Sequence, residues 1–71
     1  MAEGEKTGTV RVLLPGGAME IVEGVSKMVW RPGLATLYAP AEGYYAAPTK
    51  AILGAIGFVV ESGKVEIEFQ P

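Results

Sequence analysis

Short runs of β-branched and apolar residues, each cut off by a proline- or glycine-containing turn, constrain this chain more than any other feature. "PGG" at Pro15 to Gly17, "RPG" at Arg31 to Gly33, "PAEG" at Pro40 to Gly43 and "ESG" at Glu61 to Gly63 leave little room for long helices. Proline presets the φ of a turn and glycine reaches backbone conformations that other residues avoid, so each cluster marks a reversal. Between reversals the pattern alternates. In "KVEIEF", Lys64 to Phe69, the residues Val65, Ile67 and Phe69 fall on one face and Lys64, Glu66 and Glu68 on the other, which is the period of a half-buried strand.

The remaining segments read the same way. "TVRVLL" from Thr9 to Leu14 is a strand, and "AMEIVEGVSKMVW" from Ala18 to Trp30 is extended, with Met19, Ile21 and Glu23 on one side and a bend or bulge at Gly24. The runs flanking "RPG" form a hairpin. "LATLYA" puts Leu34, Thr36 and Tyr38 on one face and Ala35, Leu37 and Ala39 on the other, and "YYAA" is a short strand closed by Pro48. "TKAIL" is either one helical turn capped by Thr49 or a strand, ahead of a strand from Ile56 to Glu61. The expected fold is all-β: a small barrel or sandwich of roughly five to seven short strands, with one helical turn as the open alternative. Residues 1–8 are expected to be a flexible N-terminal segment and 9–71 a single β domain. Val10, Val12, Leu14, Ile21, Val25, Ile56, Val65, Ile67 and Phe69 are the expected core.

At 71 residues the chain has a small core and needs reinforcement. It has no cysteine and no histidine, which removes disulfides, thiolate nucleophiles, imidazole bases and the usual transition-metal ligands. What remains is assembly with other chains, or very good packing, and composition points toward assembly. The hydrophobic fraction is 49% against 20% charged, more apolar side chain than one small core hides, so an exposed apolar face is expected to meet another copy of the chain, as a homodimer or larger ring. Another protein is the second choice of partner. A net charge of −2 supplies no field for a polyanion, so nucleic acid is disfavoured. The polar start "MAEGEKTGT" lacks a secretory pattern, and "AILGAIGFVV" is too short to span a bilayer. A cytoplasmic location without membrane association is expected.

Catalytic constellations are absent from the sequence. Ser62 sits in a turn, Ser26 has no partner base, and Glu20, Glu23, Glu61, Glu66 and Glu68 suit the solvated faces of strands. "GGAMEI" and "GAIGF" do not match phosphate-binding glycine spacings. No catalytic residue, cofactor or metal ligand is assigned. Trp30, Arg31, Tyr44, Tyr45 and Lys50 are the candidate binding residues, because aromatic and basic side chains together stack on bases or hold anions, while aromatics also favour protein interfaces. Trp30, Leu37, Tyr44 and Tyr45 are the interface candidates. Three functions follow in order: an accessory, scaffolding or protein-interaction role without catalysis; a nucleic-acid or anion-binding module using Arg11, Lys27, Arg31 and Lys50 around the aromatics; and a small-molecule binder or enzyme whose site forms between subunits.

"TVRVLLPGGAMEIVEGV" (Thr9 to Val25), the turn at "RPG", "PTKAILGAI" and "SGKVEIEF" (Pro48 to Phe69) together resemble the CooT-like proteins, small accessory proteins associated with nickel insertion into carbon monoxide dehydrogenase. The resemblance implies a compact β-barrel-like fold and a homodimer. The family's metal site depends on a cysteine directly after the initiator methionine. Ala2 stands there in this chain, so no nickel role carries over.

Overall fold

The computed structural model of the chain describes residues 7–40 and 46–71. These residues form seven strands, β1 (Gly8–Leu13), β2 (Met19–Val25), β3 (Lys27–Arg31), β4 (Leu34–Pro40), β5 (Ala46–Leu53), β6 (Gly57–Gly63) and β7 (Glu66–Phe69), with one 3-10 turn at Pro15–Gly17. The all-β expectation therefore holds. The strands make two sheets, ordered β2-β1-β6 and β5-β4-β3-β7. Neighbours pair antiparallel except β3 and β7, which run parallel.

Three stretches of chain cross between the sheets: residues 54–56 carry the chain from β5 to β6, and two others turn the corner directly from strand to strand. One is at Ser26, where the extended run leaves β2 and enters β3; the other is at Lys64 and Val65, between β6 and β7. The first corner is pinned by backbone bonds, with the Ser26 N–H donating to the Tyr38 carbonyl at 2.8 Å and the Ser26 carbonyl accepting from the Glu66 N–H at 3.1 Å. The second is pinned where the Lys64 N–H donates to the Thr7 carbonyl at 3.2 Å. The bulge expected near Gly24 is present: β1 and β2 slip register between Gly8 and Val10, opposite Val25 and Val22. Bulges bend a strand and add twist, which a strand leaving its sheet requires.

The core lies between the sheets. Val10, Val12 and Val25 from one side meet Met28, Ala35, Leu37 and Ile52 from the other, with Ala55 at one end, all essentially buried. Leu14, Val22, Trp30, Phe58, Val65 and Ile67 pack around them. Burial of this kind is the main favourable term in folding.

Three residues expected in the core are not there. Ile21 is 57% exposed, Ile56 66% and Phe69 68%. Ile21 pairs with Arg11 on the outward side of β1 and β2, so its side chain faces away from the second sheet. Phe69 faces inward at the last residue of an edge strand, where little covers it. The segment from Thr49 to Leu53 is strand rather than helix, because β5 pairs with β4 along its length and the Thr49 hydroxyl donates to the Leu37 carbonyl at 3.2 Å. Glu61 to Gly63, expected as a turn, instead completes β6. The expected flexible segment begins outside the described residues, and β1 already starts at Gly8.

Candidate interaction surface

Strand alternation assigns each face of the β2-β1-β6 sheet. Val10 and Val12 point into the core, so Arg11 and Leu13 point out. Cross-strand partners share a face. Arg11 lies between Ile21 and Val59, and Leu13 between Met19 and Gly57. The outer face thus carries Met19 at 51% exposure, Ile21 at 57% and Val59 at 43%, around a half-buried Leu13. Ile56 stands just beyond its end, its N–H donating to the Leu13 carbonyl at 2.9 Å.

Two charges in the middle of this face pair with each other, and Glu23 stands at the Val25 end of β2. The Arg11 guanidinium pairs through Nη2 with the Glu61 carboxylate. Its Nε is buried and makes no hydrogen bond, which fits a stem lying flat between Ile21 and Val59 with only the head reaching a partner.

The other sheet presents a different surface. Lys27, Val29 and Arg31 on β3, Leu34, Thr36 and Tyr38 on β4, and Glu66 and Glu68 on β7 share its outer side. Lys27 Nζ lies 3.1 Å from the Glu68 carboxylate and 5.9 Å from the Tyr38 ring centroid. The hydrogen bond to Glu68, and then its charge, raise the Lys27 ammonium above its ordinary 10.5. Leu53 is 78% exposed on this side, opposite Leu34.

Between the sheets, the side formed by β2 and β5 is bridged by an ion pair between Lys50 and Glu20. Lys50 lies opposite Leu37 and Glu20 opposite Val12, so both start from inward-facing positions and span the gap at its rim. Towards the other side, Trp30 meets Phe58 at 5.1 Å between centroids with planes at 50°, and Phe58 meets Phe69 at 6.3 Å and 41°. Tilted aromatic pairs at these separations add to burial. An open cleft of about 470 Å³ lies at the corner, lined by Ser26, Val60, Gly63, Lys64, Val65 and Glu66. The Ser26 hydroxyl in it donates to the Tyr38 carbonyl at 3.2 Å, a structural tie. Among the described residues, no group of carboxylates is placed to hold a metal ion.

Three of the candidate binding residues lie among the described ones. Trp30 is half-buried in the aromatic stack, Arg31 is exposed at the end of β3, and Lys50 is engaged with Glu20. Tyr44 and Tyr45 lie outside the described residues. Leu37 is wholly buried and belongs to the core, out of a partner's reach. Of the cations in the nucleic-acid alternative, Arg11, Lys27 and Lys50 each face a carboxylate and sit on different surfaces. The exposed apolar residues Met19, Ile21 and Val59 were the ones sequence reasoning missed. Their signal was present only as a face shared with Arg11, and "MEIV" is apolar enough on both faces to be read either way.

Comparison with protein-family models, with curated proteins and with solved structures finds no match to this chain. Among the described residues, no helix is long and apolar enough to cross a membrane.

Proposed function

We propose that the chain is a non-catalytic β domain with an accessory or scaffolding role, performed by binding protein and by assembling with itself. One observation carries this reading. Met19, Ile21, Leu53, Ile56, Val59, Val60 and Phe69 are all more than a third exposed in a chain of 71 residues. Large apolar surface left in water is costly and marks sites where protein docks. The ion pairs add support, because cations already matched by carboxylates offer little to a phosphate backbone. The resemblance to CooT-like proteins, with the homodimer it implies, points the same way.

The test is the mass of the purified protein in solution, by light scattering on a sizing column over a range of concentrations. A stable multiple of the 7.5 kDa chain is expected. A monomer at every concentration refutes self-assembly. Salt-sensitive retention on single-stranded RNA or DNA would instead favour the nucleic-acid module.

A further inference from the structure

We infer that the outer face of the β2-β1-β6 sheet is the contact between two copies of this chain, packed face to face about a two-fold axis. The inference rests on the self-assembly reading above and identifies which surface carries it.

Three observations select this face. The first is its composition: Met19 and Ile21 on β2 and Val59 on β6 flank β1, where Leu13 lies between Met19 and Gly57 and the stem of Arg11 between Ile21 and Val59, so apolar side chains surround a single charged head. The second is its size. From their fractional exposures, these side chains together with Ile56 offer roughly 400 Å² of apolar surface, and the smaller standard interfaces bury about 600 Å² per partner, a little over half of it apolar. The face therefore suffices for a dimer at the lower end of that range.

The third is charge. A surface that packs on its own copy about a two-fold brings each patch against an identical patch, so an unbalanced charge near the axis meets its own kind. Arg11 on this face is matched by Glu61 of the same chain. The pair leaves the middle of the face neutral, with Glu23 a further carboxylate at the Val25 end of β2. A partner selected by charge would need a dominant sign across the face, and its middle has none. Sheet-on-sheet packing at the usual spacing of about 10 Å lets Ile21 and Val59 interdigitate with their counterparts.

The test compares solution masses of variants with the wild type, with circular dichroism to check folding. Ile21→Lys places an ammonium among the apolar side chains beside Arg11, on a residue that is 57% exposed and so leaves the monomer's core intact. It is expected to weaken self-association at least 30-fold, as an unpaired charge forced into an apolar contact does. Met19→Lys, on the same face, should do the same and serves if the first variant folds poorly. Leu53→Lys, 78% exposed on the opposite sheet, should leave the mass unchanged. If Ile21→Lys and Met19→Lys keep the wild-type mass, the face is wrongly assigned while self-assembly stands. If Leu53→Lys dissociates the protein and they do not, the contact lies on the other sheet. A monomeric wild type overturns both the face and the self-assembly reading, and leaves the patch to a different protein.

Discussion

Replacing Gly63 by alanine tests how β1 and β6 are brought together beside the second corner. Gly63 has φ 78°, in the left-handed region, and it lies opposite Gly8 in the register of β1 and β6. A Cβ at Gly63 would overlap the Thr7 carbonyl oxygen and the Gly8 Cα, both backbone atoms that cannot rotate away. Gly16 has the same φ of 78°, but a Cβ there meets nothing within 4 Å. The pair separates two costs. Gly16→Ala should lose only the conformational term, about 1–2 kcal/mol. Gly63→Ala should lose that and the cost of forcing strands apart, about 1–3 kcal/mol more by analogy with overpacked cores. In a domain of this size each kcal/mol lowers Tm by roughly 4–8 °C. Thermal melts and urea titrations of both variants should therefore show Gly63→Ala at least about 4 °C below Gly16→Ala. Equal losses would refute the close approach of β1 and β6, and with it the account of how the corner is pinned.

Two further outcomes are expected. Leu37→Ala, at a fully buried position among Met28, Ile52 and the β1 valines, should cost about 2–5 kcal/mol in a urea titration; a loss under about 1 kcal/mol would mean the residue is not core. The raised Lys27 ammonium should make stability fall in alkali. Its folded value lies above the unfolded one, so its contribution is complete below about pH 10.5 and disappears as pH rises through the folded value. Glu68→Gln removes the carboxylate charge and leaves only a weaker, neutral acceptor for the hydrogen bond, so the variant should show a shallower decline than wild type between about pH 9 and 12. Parallel curves would show that the Lys27 and Glu68 contact makes no difference in solution.

Turn chemistry and alternation were legible in the sequence because both are local. Proline and glycine at "PGG" and "RPG" act through their own φ, and the structure puts a 3-10 turn and a hairpin there. The two-residue period of "KVEIEF" and "LATLYA" correctly grouped Val65 with Ile67 and Ala35 with Leu37. Alternation tells which residues share a face. It does not tell which face is covered. The group of Met19 and Ile21 was therefore right while the burial of Ile21 was not, since coverage depends on which side of β1 the second sheet lies. That was fixed by the corners at Ser26 and at Lys64–Val65, made of contacts between residues far apart in the chain.

The sequence by itself determined an all-β chain without thiol or imidazole chemistry, with more apolar surface than a core of its size can hide. Only the tertiary structure decided where that surface goes. Leu37 went inward because β5 and β3 flank β4 and the first sheet closes over it, whereas Met19, Ile21 and Val59 were left in water because a three-stranded sheet has two faces and the described residues cover one. Backbone pairing is indifferent to that choice, and the burial of Val10, Val12 and Val25 settles it.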